Sequence, residues 1–262
     1  MPKISVTGDT HGDWSKFSTN CFPEQKEMTR DDFVIVCGDF GIWHSDNTEK
    51  WWFKWLSEKN FTLLFVDGNH ENFDRLYSDE FEIVDFHGGK AHRICENVYH
   101  LMRGYVFELC GKKFFAFGGA SSHDIQDGIL EPSNYKSTKE LINDYKKRTR
   151  LGKMLRINHM SWWEREMPSR EEMDNGINNL NKFKEIDYVL SHSLPSHILP
   201  SIGMQAESNS LTNYFQNEVV PILKQKENPV KWYSGHYHLE NEVVYEDNIT
   251  YIVKYHDIER IV

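Results

Sequence analysis

Phe61-Thr62-Leu63-Leu64-Phe65-Val66-Asp67 runs without a break into Gly68-Asn69-His70-Glu71. A short apolar, β-branched run followed at once by glycine and polar residues reads as a buried strand ending in a loop. Two earlier runs share this grammar: Ile4 to Thr7 leads into Gly8-Asp9-Thr10-His11, and Phe33 to Cys37 into Gly38-Asp39. Between the second and third runs, Thr48 to Glu58 carries Trp51, Trp52, Trp55 and Leu56 at helical spacing, which predicts a crossover helix covering the sheet. The first third is therefore expected to fold as β-loop-α-β.

Downstream the pattern changes. Val98 to Leu101, Tyr105 to Cys110 and Phe114 to Phe117, with Gly111-Lys112 between the last two, read as hairpin chemistry. Ser121 to Arg165 is polar and irregular, with a basic helical stretch at Tyr145 to Arg156. Ser169-Arg170-Glu171-Glu172 then forms a capping box for a helix ending near Phe183. Residues 120–185 are expected to be an insertion or lid on a single domain spanning 1–262. Asp187 to Leu190 is a strand ending in Ser191-His192, Leu211 to Leu223 has the spacing of a core-packed helix, and Val230 to Ser234 leads into Gly235-His236-Tyr237-His238. Glu242 to Tyr245, Thr250 to Tyr255 and Glu259 to Val262 suggest a closing antiparallel meander.

At 262 residues, 39% of them hydrophobic, the chain can bury a sizeable core as one α/β domain. Its N-terminus, Met1-Pro2-Lys3, lacks the features of a signal peptide, and no run approaches the roughly 20 apolar residues of a membrane span. Cys21, Cys37, Cys95 and Cys110 form no Cys-x-x-Cys pair and read as reduced thiols, so a cytoplasmic location is expected. A net charge of −10 repels polyanions and argues against non-specific nucleic-acid binding. Nothing in the composition addresses the oligomeric state.

Chemistry concentrates at the strand ends: Asp9 and His11, Asp39, Asn69 with His70, His192, then His236 and His238. Loops at one edge of a parallel sheet lie together, so residues far apart in sequence can build one site there. Carboxylate, amide oxygen and neutral imidazole together suit Mn²⁺, Fe, Zn²⁺ or Ni²⁺. In Asp9-x-His11 and His236-x-His238, residues two apart on an extended or turning backbone point to the same side and can reach one centre.

These blocks resemble the calcineurin-like metallophosphoesterase superfamily, whose signature is Asp-x-His, Gly-Asp, Gly-Asn-His-Glu or Gly-Asn-His-Asp, a lone His and Gly-His-x-His. Here they read Asp9-Thr10-His11, Gly38-Asp39, Gly68-Asn69-His70-Glu71, His192 and Gly235-His236-Tyr237-His238, in the family's order. The resemblance implies a four-layer α/β/β/α sandwich and two divalent ions, manganese first among the candidates. Asp9, His11, Asp39 and His238 would hold one ion; Asp39, Asn69, His192 and His236 would hold the other, with Asp39 bridging. Such a pair, roughly 3.5 to 4 Å apart, activates a bridging hydroxide for in-line attack on a phosphate ester. His70 matches a catalytic histidine that is not a ligand, and Glu71 would orient its neighbours.

The implied activity is that of a phosphatase or phosphodiesterase, with nucleotides among the candidate substrates. The Ser/Thr protein phosphatase branch follows its Gly-Asp with Asp and Arg, whereas Asp39 is followed by Phe40-Gly41-Ile42-Trp43. That makes protein dephosphorylation the minor reading. A catalytically silent scaffold of the same fold is the alternative from another class, disfavoured because every ligand position is filled. His44, His87, His92, His100, His123, His159, His197 and His256 match no block and are expected on the surface or in loops. Lys146, Lys147, Arg148, Arg150, Lys153 and Arg156 read as a solvated face, although they could contact phosphate. Trp162 and Trp163 could stack on a nucleobase, but more simply pack a lid onto the core.

Overall fold

A computed structural model describes residues 2–43 and 46–262, so Met1, His44 and Ser45 lie outside the described residues. Among the described residues, fifteen strands, β1 (Ile4–Thr7), β2 (Phe33–Cys37), β3 (Thr62–Val66), β4 (Glu82–Phe86), β5 (Gly89–Cys95), β6 (Val98–Leu101), β7 (Tyr105–Leu109), β8 (Lys112–Phe117), β9 (Ile129–Leu130), β10 (Arg156–Ile157), β11 (Tyr188–Ser191), β12 (Val230–Ser234), β13 (Val243–Glu246), β14 (Ile249–Val253) and β15 (Glu259–Arg260), build two large sheets and one small one. The first sheet has the order β15-β1-β2-β3-β6-β5-β4 and the second β13-β14-β12-β11-β8-β7, while β10 and β9 pair on their own.

Alternation along the strands creates the layers. Ile35 and Cys37 on β2 point to the inner face, where they meet Phe107, Phe114, Leu190 and Tyr233 of the second sheet. Their neighbours Val34 and Val36 point outward to Trp14, Phe17, Leu56 and Phe61. On the far side Phe115, Phe117, Val189 and Trp232 pack against Met173, Leu180, Tyr214, Phe215 and Leu223 from helices. The result is the expected α/β/β/α sandwich.

The crossover helix runs Asn47–Ser57, capped by Asp46, whose side chain accepts from the Glu49 amide. The helix expected over Tyr145 to Arg156 is instead Thr138–Arg150, started by a Ser137 cap; Gly152, with φ +78°, ends the helical path. Of residues 120–185, the helix Arg170–Leu180 belongs to the sandwich's outer layer, through Met173 and Leu180. By contrast, Leu130, Leu141, Leu155 and Ile157 form a small core of their own within 121–169. The terminal strands are not one antiparallel meander. β13 pairs antiparallel to β14, but β14 lies parallel to β12, and β15 crosses to the first sheet beside β1.

Parallel pairing fixes where the loops go. β1, β2, β3 and β6 run parallel in the first sheet, and β8, β11, β12 and β14 in the second. Within each sheet their carboxyl ends therefore open at the same edge.

Candidate metal centre

Asp9 and Asp39 meet at that edge. The His238 Nε2 lies 3.1 Å from Asp9 Oδ2, and His11 Nε2 lies 3.2 Å from His238 Nε2. His192 Nε2 lies 3.2 Å from Asp39 Oδ2, while its Nδ1 is held 2.7 Å from the Cys37 carbonyl. Asp39 Oδ1 accepts from the His70 amide at 2.8 Å, and Asp9 Oδ1 from the His236 amide at 3.1 Å. Asp9, His11 and His238 form one group able to hold a metal ion, Asp9, Asp39 and His192 another, and His11, Asp39 and His70 a third.

The backbone is strained to place these groups. His11, Asp39, His236 and His238 all have positive φ, between +48° and +71°, a region L-residues enter at a cost of about 1 kcal/mol or more. Gly68 is required for space. A Cβ there would stand 2.0 Å from Asp39 Oδ1, so any side chain would push that carboxylate from its position.

Burial alone would raise the Asp39 carboxyl, but the His192 imidazole beside it prevails and holds it down at about 2. Asp9 is likewise well below the usual carboxylate range, burial being outweighed by His192, His11 and His238. His192 is pushed the other way, to about 9, because the two carboxylates overcome its burial. His236 falls to about 3, through burial and the neighbouring His192, and His70 to about 4, chiefly through burial. The negative potential that protonates His192 is the potential a cation would satisfy. Asp9 Oδ2, Asn69 Oδ1 and His192 Nε2 are moreover buried without a well-aligned hydrogen bond, a costly state unless a ligand completes them. The residues fit divalent ions.

Glu71 is buried and accepts from the amides of Phe40, Gly41 and Ile42 at 2.7, 3.1 and 2.9 Å, tying the loop after Asp39 to the Asn69-His70 loop. Burial raises its pKa against the pull of those amides. His197 lies elsewhere, bonded to Glu246 at 3.1 Å.

Several residues stand at the site that the sequence reading does not place among its ligands or catalytic groups. Arg156 is only 8% exposed, and its guanidinium reaches His70 Nε2 at 3.2 Å, the Ser161 carbonyl at 3.0 Å and Asp124 at 2.6 Å. It has left the solvated face expected for it because it sits on β10, beyond the basic helix. Ser122 accepts from Asn69 Nδ2 at 3.2 Å and donates to Glu166 at 2.7 Å. His123 Nε2 stands 2.9 Å from His236 Nε2. A signal for the last two did exist: Phe114 to Phe117 followed by Gly118-Gly119-Ala120-Ser121-Ser122-His123 has the same run-glycine-histidine grammar as the other strand ends.

His92 and His100, expected on the surface or in loops, are buried on β5 and β6. They face each other across the β5-β6 pair at 2.9 Å, and His100 bonds Asp67 at 3.0 Å. Asp67 also receives Arg103, which reaches on to the Arg165 and Glu166 carbonyls. Trp163 is buried, its Nε1 donating to Asp74 at 2.8 Å, so it packs rather than stacks on a ligand.

A profile of the calcineurin-like phosphoesterases matches residues 2–240. The chain belongs to that family. Lariat debranching enzyme A of Xenopus laevis is 29% identical over 150 residues, covering 51% of this chain and 26% of the relative. The match thus spans about a quarter of that protein's length. Among the described residues, no helix is long and apolar enough to cross a membrane.

Proposed function

We propose that this phosphoesterase is a phosphatase or phosphodiesterase with a dinuclear metal centre. Asp9, His11, Asp39 and His238 hold one ion, Asp39, Asn69, His192 and His236 hold the second, and Asp39 bridges. The observation carrying this reading is the set of buried atoms on Asp9, Asn69 and His192 that lack a well-aligned hydrogen bond, around Asp9 and Asp39, each of which belongs to two candidate groups. When bound, two divalent ions, manganese ahead of iron, zinc and nickel, would supply a nucleophilic water at neutral pH and neutralise charge on phosphate.

The protein's own residues supply the rest. His70, with its backbone anchored on Asp39, protonates the leaving oxygen or stabilises its charge. Arg156, which donates to His70 Nε2, is the cation best placed to meet a phosphate oxygen there. Free Cys21, Cys37, Cys95 and Cys110 accord with a cytoplasmic setting. The relative's name adds lariats to nucleotides as substrates to screen.

Hydrolysis of nitrophenyl phosphate and bis-nitrophenyl phosphate, before and after chelation and Mn²⁺ return, is the test. Activity that disappears with the metals and returns with about two ions per chain is expected. Activity indifferent to chelation would overturn the reading, and the ratio of the two rates separates monoesterase from diesterase.

A further inference from the structure

The two halves of the proposed centre are supported differently. Among the described residues, the side-chain hydrogen bonds and ion pairs of Asp9, His11, Asp39 and His238 stay within the strand-end loops already described. Asn69 and His236 are instead both held by Ser122-His123, at the end of β8.

Each contact fixes which atom faces the centre. Asn69 Nδ2 donates to Ser122 Oγ at 3.2 Å, and the hydroxyl donates onward to Glu166 Oε2 at 2.7 Å, while the Ser122 amide donates to Glu166 Oε1 at 2.8 Å. With its one proton committed to Glu166, the hydroxyl has only lone pairs to offer Asn69. A flipped Asn69 would set oxygen against oxygen. The Asn69 Oδ1 is thereby turned away, buried and without a partner. On His236, Nε2 is engaged by His123 Nε2 at 2.9 Å, which leaves Nδ1 as the nitrogen free for a cation.

We propose that Ser122 and His123, backed by Glu166, are positioning residues that set the affinity of the second ion without touching it and leave the first ion's site unaffected. The inference rests on the two-ion reading above. Partners that orient metal-binding side chains typically contribute about 10- to 100-fold in metal affinity.

Mn²⁺ titration followed by calorimetry and by electron paramagnetic resonance tests it. Two ions per chain give an exchange-coupled signal, and one ion gives an isolated six-line signal. In Ser122→Ala and in His123→Ala the second ion is expected to bind about 10- to 100-fold more weakly, with the first ion's affinity unchanged. Retained first-site binding also reports an intact fold. His123→Asn, whose carbonyl can accept from His236 Nε2–H, is expected to recover most of the loss.

Equal weakening of both ions, or no weakening, overturns the proposal. Glu207 lies in one potential metal-binding group with His123 and His236, their ligand atoms within 4.8 Å of one another. A third ion per native chain, lost in His123→Ala, would therefore overturn it by making His123 a ligand. A native chain holding one ion sinks the two-ion reading and this inference with it, whereas two ions of unchanged affinity in both alanine variants sink this inference alone.

Discussion

The loops that end β1, β2, β3, β11 and β12 and the stretch 121–169 reach the same site in different ways. The loops are short and rooted in paired strands, with a glycine directly before the metal-binding residue in four of the five, so the side chain at each end is placed by the sheet itself. The stretch 121–169 stands on a small core of Leu130, Leu141, Leu155 and Ile157 and sends in Ser122, His123, Arg156 and Glu166, all through hydrogen bonds. The loops carry the groups that would bind the ions, and the longer stretch holds and orients them. Damage to the loops should abolish chemistry; damage to the stretch should tune it.

The sharpest break of that contrast is Asp39→Asn. A bridging carboxylate holds both ions and offsets their mutual repulsion, so the variant should lose both and fall by about 10³-fold or more in kcat/KM. Metal analysis beside the rates checks this. An Asn variant with two ions and near-normal turnover would remove Asp39 from its bridging place.

Next in size is His70→Ala, which should keep its metals. General acid catalysis contributes roughly 10² to 10⁴-fold where the leaving group needs a proton. The loss should approach that range on an alkyl phosphate ester and be far smaller on a nitrophenyl ester, whose phenolate leaves unaided. Equal losses on both would assign His70 to charge stabilisation, and a lost ion would make it a ligand.

These two regions also divide what the sequence could disclose. Strand ends are legible because an apolar run and a metal-binding residue stand within a few positions of each other, with a glycine between them everywhere except before His192. The hairpin of β4 and β5 went unread because β4 lies half in solvent and shows no clean alternation. Glu259 to Val262 suggests the end of a meander, because no local pattern says which sheet a last strand will join. His92 and His100 look like any polar residue until the antiparallel register sets them face to face beside Asp67. Arg156 and Glu166 act across 86 and 44 residues of chain, a separation no periodicity encodes.

Glu166 offers a smaller test within the longer stretch. Burial, outweighing its bonds to Ser122, raises its pKa from 4.5 to about 7. The folded state then binds a proton that the unfolded chain has released, so stability from this group is fully present below pH 4.5 and is lost as pH rises to about 7. In metal-free protein, urea unfolding of the native chain relative to Glu166→Gln should show a difference that declines across that window by on the order of 1 to 3 kcal/mol. A difference flat with pH would mean that Glu166 is ionised throughout, as its two Ser122 donors alone would favour.

An effect of similar size, and the one that bears most directly on whether the longer stretch enters the chemistry, is expected at Arg156. Its guanidinium is tied to Ser161 and Asp124 within that stretch, and among the described residues only the contact with His70 Nε2 crosses to the motif loops. A charged hydrogen bond to phosphate is worth roughly 1.5 to 3 kcal/mol, so Arg156→Ala should lower kcat/KM by about 10- to 100-fold while both ions stay bound. Arg156→Lys, which keeps the charge but not the planar fork, should recover only part. The double variant Arg156→Ala with His70→Ala then says what the contact does. If Arg156 meets the phosphate itself, the two losses add; if it works only by orienting His70, removing it from the His70→Ala background costs nothing. Full additivity would place a residue of the 121–169 stretch against the substrate, and complete non-additivity would confine that stretch to orienting the residues of the strand-end loops.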